Sequence, residues 1–443
     1  MSKARKVASN LKSVVFVDGT RTPFVPSHSH LKNYQSWELM RFAIMGLKSR
    51  NPIVAQDSSY CESTKGKTTN PPLIGRLTAG TVIQEVRTSN IAREASLAAG
   101  LPRGLPAHTV TMACISSNVA MTNTVEAIRA GSINGGIAGG VETMSDVPIR
   151  LSRKLRAFLL RQQKVKSLGG KLALARKSLS MSSLSLELPA VAEFSTGEVM
   201  GTSADRLAAR WGVTREASDA FAARSHNAAA DATEKGYLTD VLKTVPSSES
   251  KTGEAITSDT GVRAPADPAA LAKMRPAFVK PHGTVTAASA SYLTDGASAA
   301  LLMEAGAAKA AGLVGKSELV DHVYTGCDPA EELLLGPAYA LKLLLARNGL
   351  SFSDIGVFEL HEAFAGQVLA NVNAMNKWGM GEVPMDRLNL WGGSLSIGHP
   401  FGATGVRLVS TATNRLHHED KELAVVAACA AGGLGVAQLI RRI

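Results

Sequence analysis

At 443 residues, with 45% hydrophobic and 19% charged residues, the chain can hold two or three domains with large cores, which excludes a disordered protein. The net charge of +11 looks like a nucleic-acid signal until it is mapped. Residues 147–186 hold ten Lys/Arg and no Asp or Glu, so the rest sums to +1 and a general nucleic-acid surface is excluded.

Residues 1–12 are basic, serine-containing and free of acids, and read equally as a short mitochondrial presequence or an ordinary polar tail. Val14–Gly19 predicts a buried strand ending in a turn, and Ser36–Ser49 a helix. Residues 51–75 are polar without periodicity and read as a surface loop in which Cys61 is incidental. Ala79–Gln84 predicts a strand, Asn90–Ala99 a helix and Ala107–Thr111 a further strand. Beyond it Ile115, Val119, Val125 and Ile128 recur at helical spacing, with Gly131 as a natural stop. Cys114 therefore falls at a strand-to-helix turn, at or just inside a helix N-terminus. Unpaired N–H groups and the helix dipole favour a thiolate there. Taken alone, Cys114 reads more plainly as a small buried residue of an Ala-rich helix.

Gly136–Glu142 predicts a glycine-lined strand without the spacing or the following helix of a dinucleotide site. The basic segment interleaves Ile149, Leu151, Leu155, Phe158, Leu159 and Leu160 with its cations and reads as an inserted lobe. It suits an anionic membrane surface or a solvated helical excursion. Ser203–Trp211 and Arg215–Lys235 predict helices, the latter capped by Thr214. Gly283–Thr286 and Ala297–Met303 predict strands around the loop Ala287–Gly296. The second half opens near Glu318–Tyr324. It continues with a helix over Ala338–Arg347, a strand over Val357–Leu360, and helices over Ala363–Asn376 and Gly405–Leu416. Ala424–Ala428 and Val436–Ile440 predict a closing strand pair. Two strand–turn–helix units, with Cys114 at one turn and His399 at the other, imply an internally duplicated α/β fold.

Four turns collect reactive side chains: Cys114; His361 in His361-Glu362-Ala363-Phe364; His399 in Gly398-His399-Pro400-Phe401-Gly402; and Cys429 in a Gly-rich run ending at Gly435. His361 does not begin a zinc-binding HExxH, because Ala365 stands four residues on. Four widely and irregularly spaced cysteines (Cys61, Cys114, Cys327, Cys429) make neither a disulfide framework nor a zinc site. No apolar run reaches the roughly 18 residues of a membrane span. Gly392, Gly393, Gly402 and Gly405 around His399 let backbone approach a ligand or another loop closely. Jointly, two Cys and two His describe a nucleophile, its base, an oxyanion donor and a second acid/base.

These motifs resemble the thiolase family, and within it the branch of trifunctional-enzyme β subunits. The matching runs are Val14–Phe24, Gly80–Ala99, Thr109–Asn118, Gly139–Arg153, Pro189–Arg210, Lys280–Ala299, His361–Asn371, Trp391–Arg407 and Ala427–Gly435. Most thiolases carry Asn where this chain has His361, and the His-Glu-Ala-Phe form points to that branch. Ala431 replaces the family's usual glycine, and Leu434 a usual glutamine; a backbone N–H is what that turn supplies, so both changes are tolerable.

The resemblance implies a thiolase fold: duplicated α/β core domains in a layered α-β-α-β-α arrangement with an inserted loop lobe. Residues 13–146 and 191–305 would form the N-terminal core domain, 147–190 the basic lobe and 306–443 the C-terminal core domain. It implies thiolytic cleavage of a 3-ketoacyl-CoA in fatty acid β-oxidation. Cys114 is then the nucleophile that carries the acyl group, His399 its base and an oxyanion donor, His361 an oxyanion stabiliser and Cys429 the acid/base at the α-carbon. The backbone N–H groups of Cys114 and Ala431 would hold an oxyanion, and Ser291 would contact CoA. No metal and no tightly bound cofactor is expected; CoA is a co-substrate.

A homodimer is the expected core, with a hydratase/dehydrogenase α-type subunit as a further partner. Residues 147–186 would meet an anionic membrane, that partner or the CoA phosphates. The branch implies a mitochondrial location, and Arg441-Arg442-Ile443 is no peroxisomal Ser-Lys-Leu signal. The rivals are an acetoacetyl-CoA thiolase, a condensing enzyme, which would lack Cys429, and a non-catalytic membrane-associated scaffold.

Overall fold

The computed structural model describes residues 12–56, 73–180, 183, 185–189 and 192–443. The expectations for residues 1–11, for most of the loop 51–75 and for Cys61 lie outside the described residues. One compact unit holds the chain up to Asp146 together with Ala192–Ile443, and Val147–Val191 forms a second.

In the larger unit the principal elements run β1 (Val14–Arg21), α1 (Ser36–Arg50), β2 (Arg76–Gly80), α2 (Ile91–Ala98), β3 (Ala107–Val110), α3 (Ser116–Arg129), β4 (Gly135–Glu142), α4 (Met200–Arg210), α5 (Arg215–Glu234) and β5 (Thr294–Glu304). The second half follows as β6 (Ser317–Gly326), α6 (Gly336–Asn348), β7 (Val357–Leu360), α7 (Ala365–Lys377), α8 (Thr404–His418), β8 (Leu423–Ala430) and β9 (Leu434–Arg442). The sheet order is β7-β8-β9-β6-β1-β5-β4-β2-β3. Outward from β1, the pairings to β5 and β4 are antiparallel and those to β2 and β3 parallel. Outward from β6 the same pattern repeats: antiparallel to β9 and β8, then parallel to β7. A parallel bridge from Phe358 to Leu388 stands where β3 stands in the first half. The duplication expected from the two reactive turns is therefore present in strand order and direction. The halves join where β1 pairs with β6, at Val15–Glu318 and Phe16–Ser317.

Period-two alternation on the strands builds the layers. Val15 and Val17 of β1 pack with Leu39, Met40, Ile44 and Leu47 of α1. Val14 and Phe16 face the opposite way, into a cluster with Met121 and Val125 of α3 and Val406 and Val409 of α8. Ala424, Val426 and Ala428 of β8 close that middle cluster from the other half, while Val425 and Ala427 turn to Leu341 and Leu344 of α6 and Val368 of α7. The result is α1/α2, half-sheet, α3/α8, half-sheet, α6/α7. Each fully buried Leu, Val or Phe in these layers contributes roughly 1.5–3 kcal/mol by leaving water.

The caps follow the sequence: Asn90 accepts from the Arg93 amide ahead of α2, and Thr214 from the Ala217 amide ahead of α5. Two expected strands differ. Ala79–Gln84 ends as a strand at Gly80, because the Glu142 carboxylate takes the amides of Val82 and Ile83 at 3.0 and 2.9 Å. Gly283–Thr286 is no strand, because Asp205 on α4 accepts from the amides of Thr284 and Val285 at 2.6 and 2.9 Å. In the second unit the basic segment forms helices Arg153–Gln162 and Leu168–Ser178, capped by Ser152 and Ser167. A two-residue strand pair, Arg150–Leu151 with Leu186–Glu187, lies at its base. Among the described residues no helix is long and apolar enough to cross a membrane.

Candidate active site

The reactive residues gather at the C-terminal ends of the parallel strands, where open α/β sheets place their sites. Cys114 follows β3, His361 follows β7 and Cys429 lies at the end of β8. Cys114 stands two residues before the first residue of α3. Ala113 takes a left-handed φ of 45° to make that corner. Ser116 holds it, accepting from the Met112 amide at 2.8 Å and donating to the Ala113 carbonyl at 2.6 Å. Gly80 lets β2 come close: a Cβ there would lie 2.5 Å from the Ser116 carbonyl carbon.

His399 occupies the matching place before α8. Its amide donates to Thr294 Oγ1 at 2.9 Å, and its Nδ1 lies 2.6 Å from Thr404 Oγ1. His361 is fixed by its amide, which donates to the Ala427 carbonyl at 2.8 Å, and its Nδ1 lies 3.0 Å from Ser394 Oγ. The two imidazole centroids are 4.0 Å apart. Both histidines are buried, and both Nε2 atoms have no hydrogen-bond partner among the described residues. Arg415 on α8 pairs with Glu359 on β7 at 2.7 Å, with both side chains buried. That pair ties the helix behind His399 to the strand before His361, and removing one partner would cost about 3–5 kcal/mol.

Cys114 is half-buried and Cys429 buried, and neither forms a disulfide. The backbone N–H groups of Ala431 and of Cys114 itself lie where they favour a negative charge on the Cys114 sulfur. The expected direction of the Cys114 pKa is reversed. Burial pushes the thiol up to about 12; the Ala431 and Cys114 amides pull it down but do not win, and Glu142 adds to the rise. Burial also raises the Cys429 thiol, helped by Cys114 nearby. Burial and then the Arg407 charge lower His399 to about 3. Burial, His399 and Arg407 together hold His361 well below the usual histidine range. At rest the site holds neutral thiols and neutral imidazoles.

Residues 14–306 match the thiolase N-terminal domain family and 314–442 the thiolase C-terminal domain family. The chain belongs to the thiolase family. It is 50% identical to a probable 3-ketoacyl-CoA thiolase of Caenorhabditis elegans, over 97% of this chain and 94% of that protein. It is 48% identical to the human mitochondrial trifunctional enzyme subunit beta, over 97% of this chain and 89% of that protein. The crystal structure of human mitochondrial 3-ketoacyl-CoA thiolase superposes with a TM-score of 0.82 at 25% identity, covering 98% of this chain and all of that one. In this thiolase the two family segments meet between β5 and β6, where the strand pattern begins to repeat.

Of the residues singled out from the thiolase sequence, His361 and His399 meet as one pair, Cys114 lies near Cys429 and the Ala431 amide, and the His361 amide on the Ala427 carbonyl links the two sets. Ser291 is half-buried, and its amide donates to the Ala363 carbonyl at 2.9 Å. Its neighbours Ala290 and Leu293 bridge to Phe364 and His399, so Ser291 lies between the two histidine turns. Among the described residues no group of three or more His, Cys, Asp or Glu is placed to hold a metal ion.

Sequence reasoning missed several residues that shape the site. Glu142, which burial raises to about 7, joins the turn after β2 to the His399 turn by accepting from the Gly402 amide at 3.1 Å. Glu193 accepts from the Gly432 amide at 2.7 Å and so braces the turn that carries Ala431. Arg407 and Ser394 stand behind the histidines. An acid ending a glycine-lined strand was the one visible signal for Glu142; Glu193, Ser394 and Arg407 carried none.

Proposed function

We propose that this thiolase is an acyltransferase of fatty acid β-oxidation that cleaves 3-ketoacyl-CoA with CoA, giving acetyl-CoA and a shortened acyl-CoA. The observation that carries the reading is a pair of imidazoles 4.0 Å apart with open Nε2 atoms, one of them tied through its amide to the Ala427 carbonyl two residues before Cys429, whose thiol lies near that of Cys114.

In the first half-reaction His399 Nε2 takes the Cys114 proton as the sulfur attacks the 3-keto carbon. The amides of Cys114 and Ala431 receive the oxyanion. The C2–C3 bond then breaks, leaving the acyl group on Cys114 as a thioester and the electron pair on the enolate of acetyl-CoA. His361 and His399 hold that enolate oxygen, and the Cys429 thiol protonates its carbon. Cys429 then regains a proton from His399. In the second half-reaction His399 takes the proton of CoA, whose sulfur displaces Cys114 from the acyl group, and His399 passes that proton to the departing Cys114 sulfur. Because the resting thiol and imidazole are both neutral, proton transfer accompanies attack instead of preceding it. Ser291, between the two histidine turns, contacts the incoming CoA.

The same reading makes residues 13–146 with 191–305 and residues 306–443 the two core domains, and 147–190 the lobe. The relatives named mitochondrial trifunctional enzyme subunit beta support a mitochondrial location and assembly with an α-type subunit; a hydratase/dehydrogenase activity of that subunit and a homodimeric core are part of this proposal. Residues 147–186, with ten cations and no acid, suit an anionic membrane surface.

The test is CoA-dependent loss of 3-ketoacyl-CoA absorbance with short- and long-chain substrates, for the wild type and Cys114→Ala. Cleavage of long chains that vanishes in the variant is expected. Cleavage of acetoacetyl-CoA alone would select an acetoacetyl-CoA thiolase. No cleavage even with the α-type subunit added would leave the scaffold reading.

A further inference from the structure

The two imidazoles are held from behind by different chemistry. Ser394 begins the short helical turn Ser394–Ile397, and its Oγ has two partners among the described residues: His361 Nδ1 at 3.0 Å and Arg407 Nη2 at 2.7 Å. Ser394, Arg407 and His361 are all buried. A guanidinium only donates, so the Arg407 contact consumes a lone pair of Ser394 Oγ and leaves its O–H free to donate. The acceptor within reach is His361 Nδ1. The reverse arrangement, with His361 Nδ1–H donating, would leave the Ser394 hydrogen buried without a partner. His361 therefore carries its own hydrogen on Nε2.

His399 differs. Its Nδ1 meets Thr404 Oγ1 at 2.6 Å, and that hydroxyl also reaches the Pro400 carbonyl at 3.0 Å. Thr404 can donate to His399 Nδ1, or donate to Pro400 and accept from Nδ1. Nothing behind His399 forces one tautomer, and an Nδ1–H would find Thr404 Oγ1 as its acceptor in either the neutral or the protonated ring.

We propose that Arg407 and Ser394 are positioning residues that lock His361 as a permanent Nε2–H donor, while Thr404 leaves His399 free to gain and lose a proton on Nε2. The relay divides labour between two otherwise similar histidines 4.0 Å apart. It rests on the proposed role of His361 as an oxyanion donor. The Arg407 charge supports the His361 half from a second direction, since it helps keep that imidazole neutral; it lowers His399 as well, which therefore holds a proton only transiently.

The test is ¹⁵N-histidine NMR of the resting full-length protein, which needs no substrate, with His361 assigned by its loss in His361→Asn. The expected wild-type signature is a protonated Nε2 and an unprotonated Nδ1 at His361. In Ser394→Ala that signature becomes mixed, and kcat for ketoacyl-CoA cleavage falls at least tenfold with KM within about twofold. Ser394→Thr, which keeps the hydroxyl, recovers both. A protonated Nδ1 in the wild type, or unchanged His361 signals in Ser394→Ala, would overturn the proposal. The expected tautomer in a protein without ketoacyl-CoA cleavage would overturn only the functional reading.

Discussion

The imidazoles of His361 and His399 lie 4.0 Å apart at an interplanar angle of 45°, each contributed by a different half-turn of the C-terminal repeat. Two imidazolium ions could not share this buried space with Arg407 close by. Burial and Arg407 keep both rings neutral, with His399 adding to the effect at His361, and His399 itself has a pKa of about 3.

That depression has a consequence for stability. An unfolded histidine titrates near about 6.5, so below that pH the unfolded chain binds a proton that folded His399 does not. The stabilising contribution is complete above the unfolded value and is lost as pH falls from there toward the folded one. Glu142 and Glu359, raised by burial to about 7, act in the opposite sense, so the comparison must isolate His399. The unfolding free energy of the wild type minus that of His399→Asn should shrink by roughly 1 kcal/mol between about pH 7.5 and about pH 5.5. Denaturant unfolding at the two values checks it, and a constant difference would contradict the depressed pKa.

The raised pKa of Cys114 makes its resting form a thiol. Alkylation of Cys114 by iodoacetamide, followed by peptide mass spectrometry, should therefore accelerate continuously to beyond about pH 9. A plateau near neutrality would reveal a preformed thiolate instead.

Glu193 braces the turn that carries Ala431 through the Gly432 amide and also accepts from Ser195 Oγ at 2.9 Å. Hydrogen bonds to a charged group are worth about 1.5–3 kcal/mol. Glu193→Ala should lower kcat by about tenfold or more with little change in KM, and Glu193→Gln, which keeps an acceptor, should lie between it and the wild type. Equal kcat values across the three proteins would remove Glu193 from the account.

Close backbone approach is a further requirement. A Cβ on Gly140 of β4 would lie 1.8 Å from the Gly402 carbonyl oxygen, three residues past His399. Gly140→Ala must push the His399 turn away and should cost about 1–3 kcal/mol, read as a lower melting temperature together with reduced cleavage. An unchanged melting temperature would show that the turn can shift freely.

Much of this architecture could be read from local patterns. The strand Val357–Leu360, the Thr214 cap and the paired turns of Cys114 and His399 depend on neighbours in sequence. What escaped depends on partners far along the chain. The strand expected over Ala79–Gln84 stops short because Glu142 captures its amides, and Gly283–Thr286 is irregular because Asp205 does the same. The sign of the Cys114 shift was misread for a related reason. A helix N-terminus is visible in sequence, but the burial that outweighs it is created only when α3, β8 and the Ala431 turn pack together. Ser394 and Arg407 are ordinary letters until the fold sets them behind His361.

The most direct test of the central claim is a single turnover without free CoA. A long-chain 3-ketoacyl-CoA mixed with excess enzyme should release one acetyl-CoA per site and leave the shortened acyl group on the peptide containing Cys114, from which added CoA removes it. Cys114→Ala should show neither event. Acetyl-CoA release with no acyl group on Cys114, or with the group on another residue, would contradict the account.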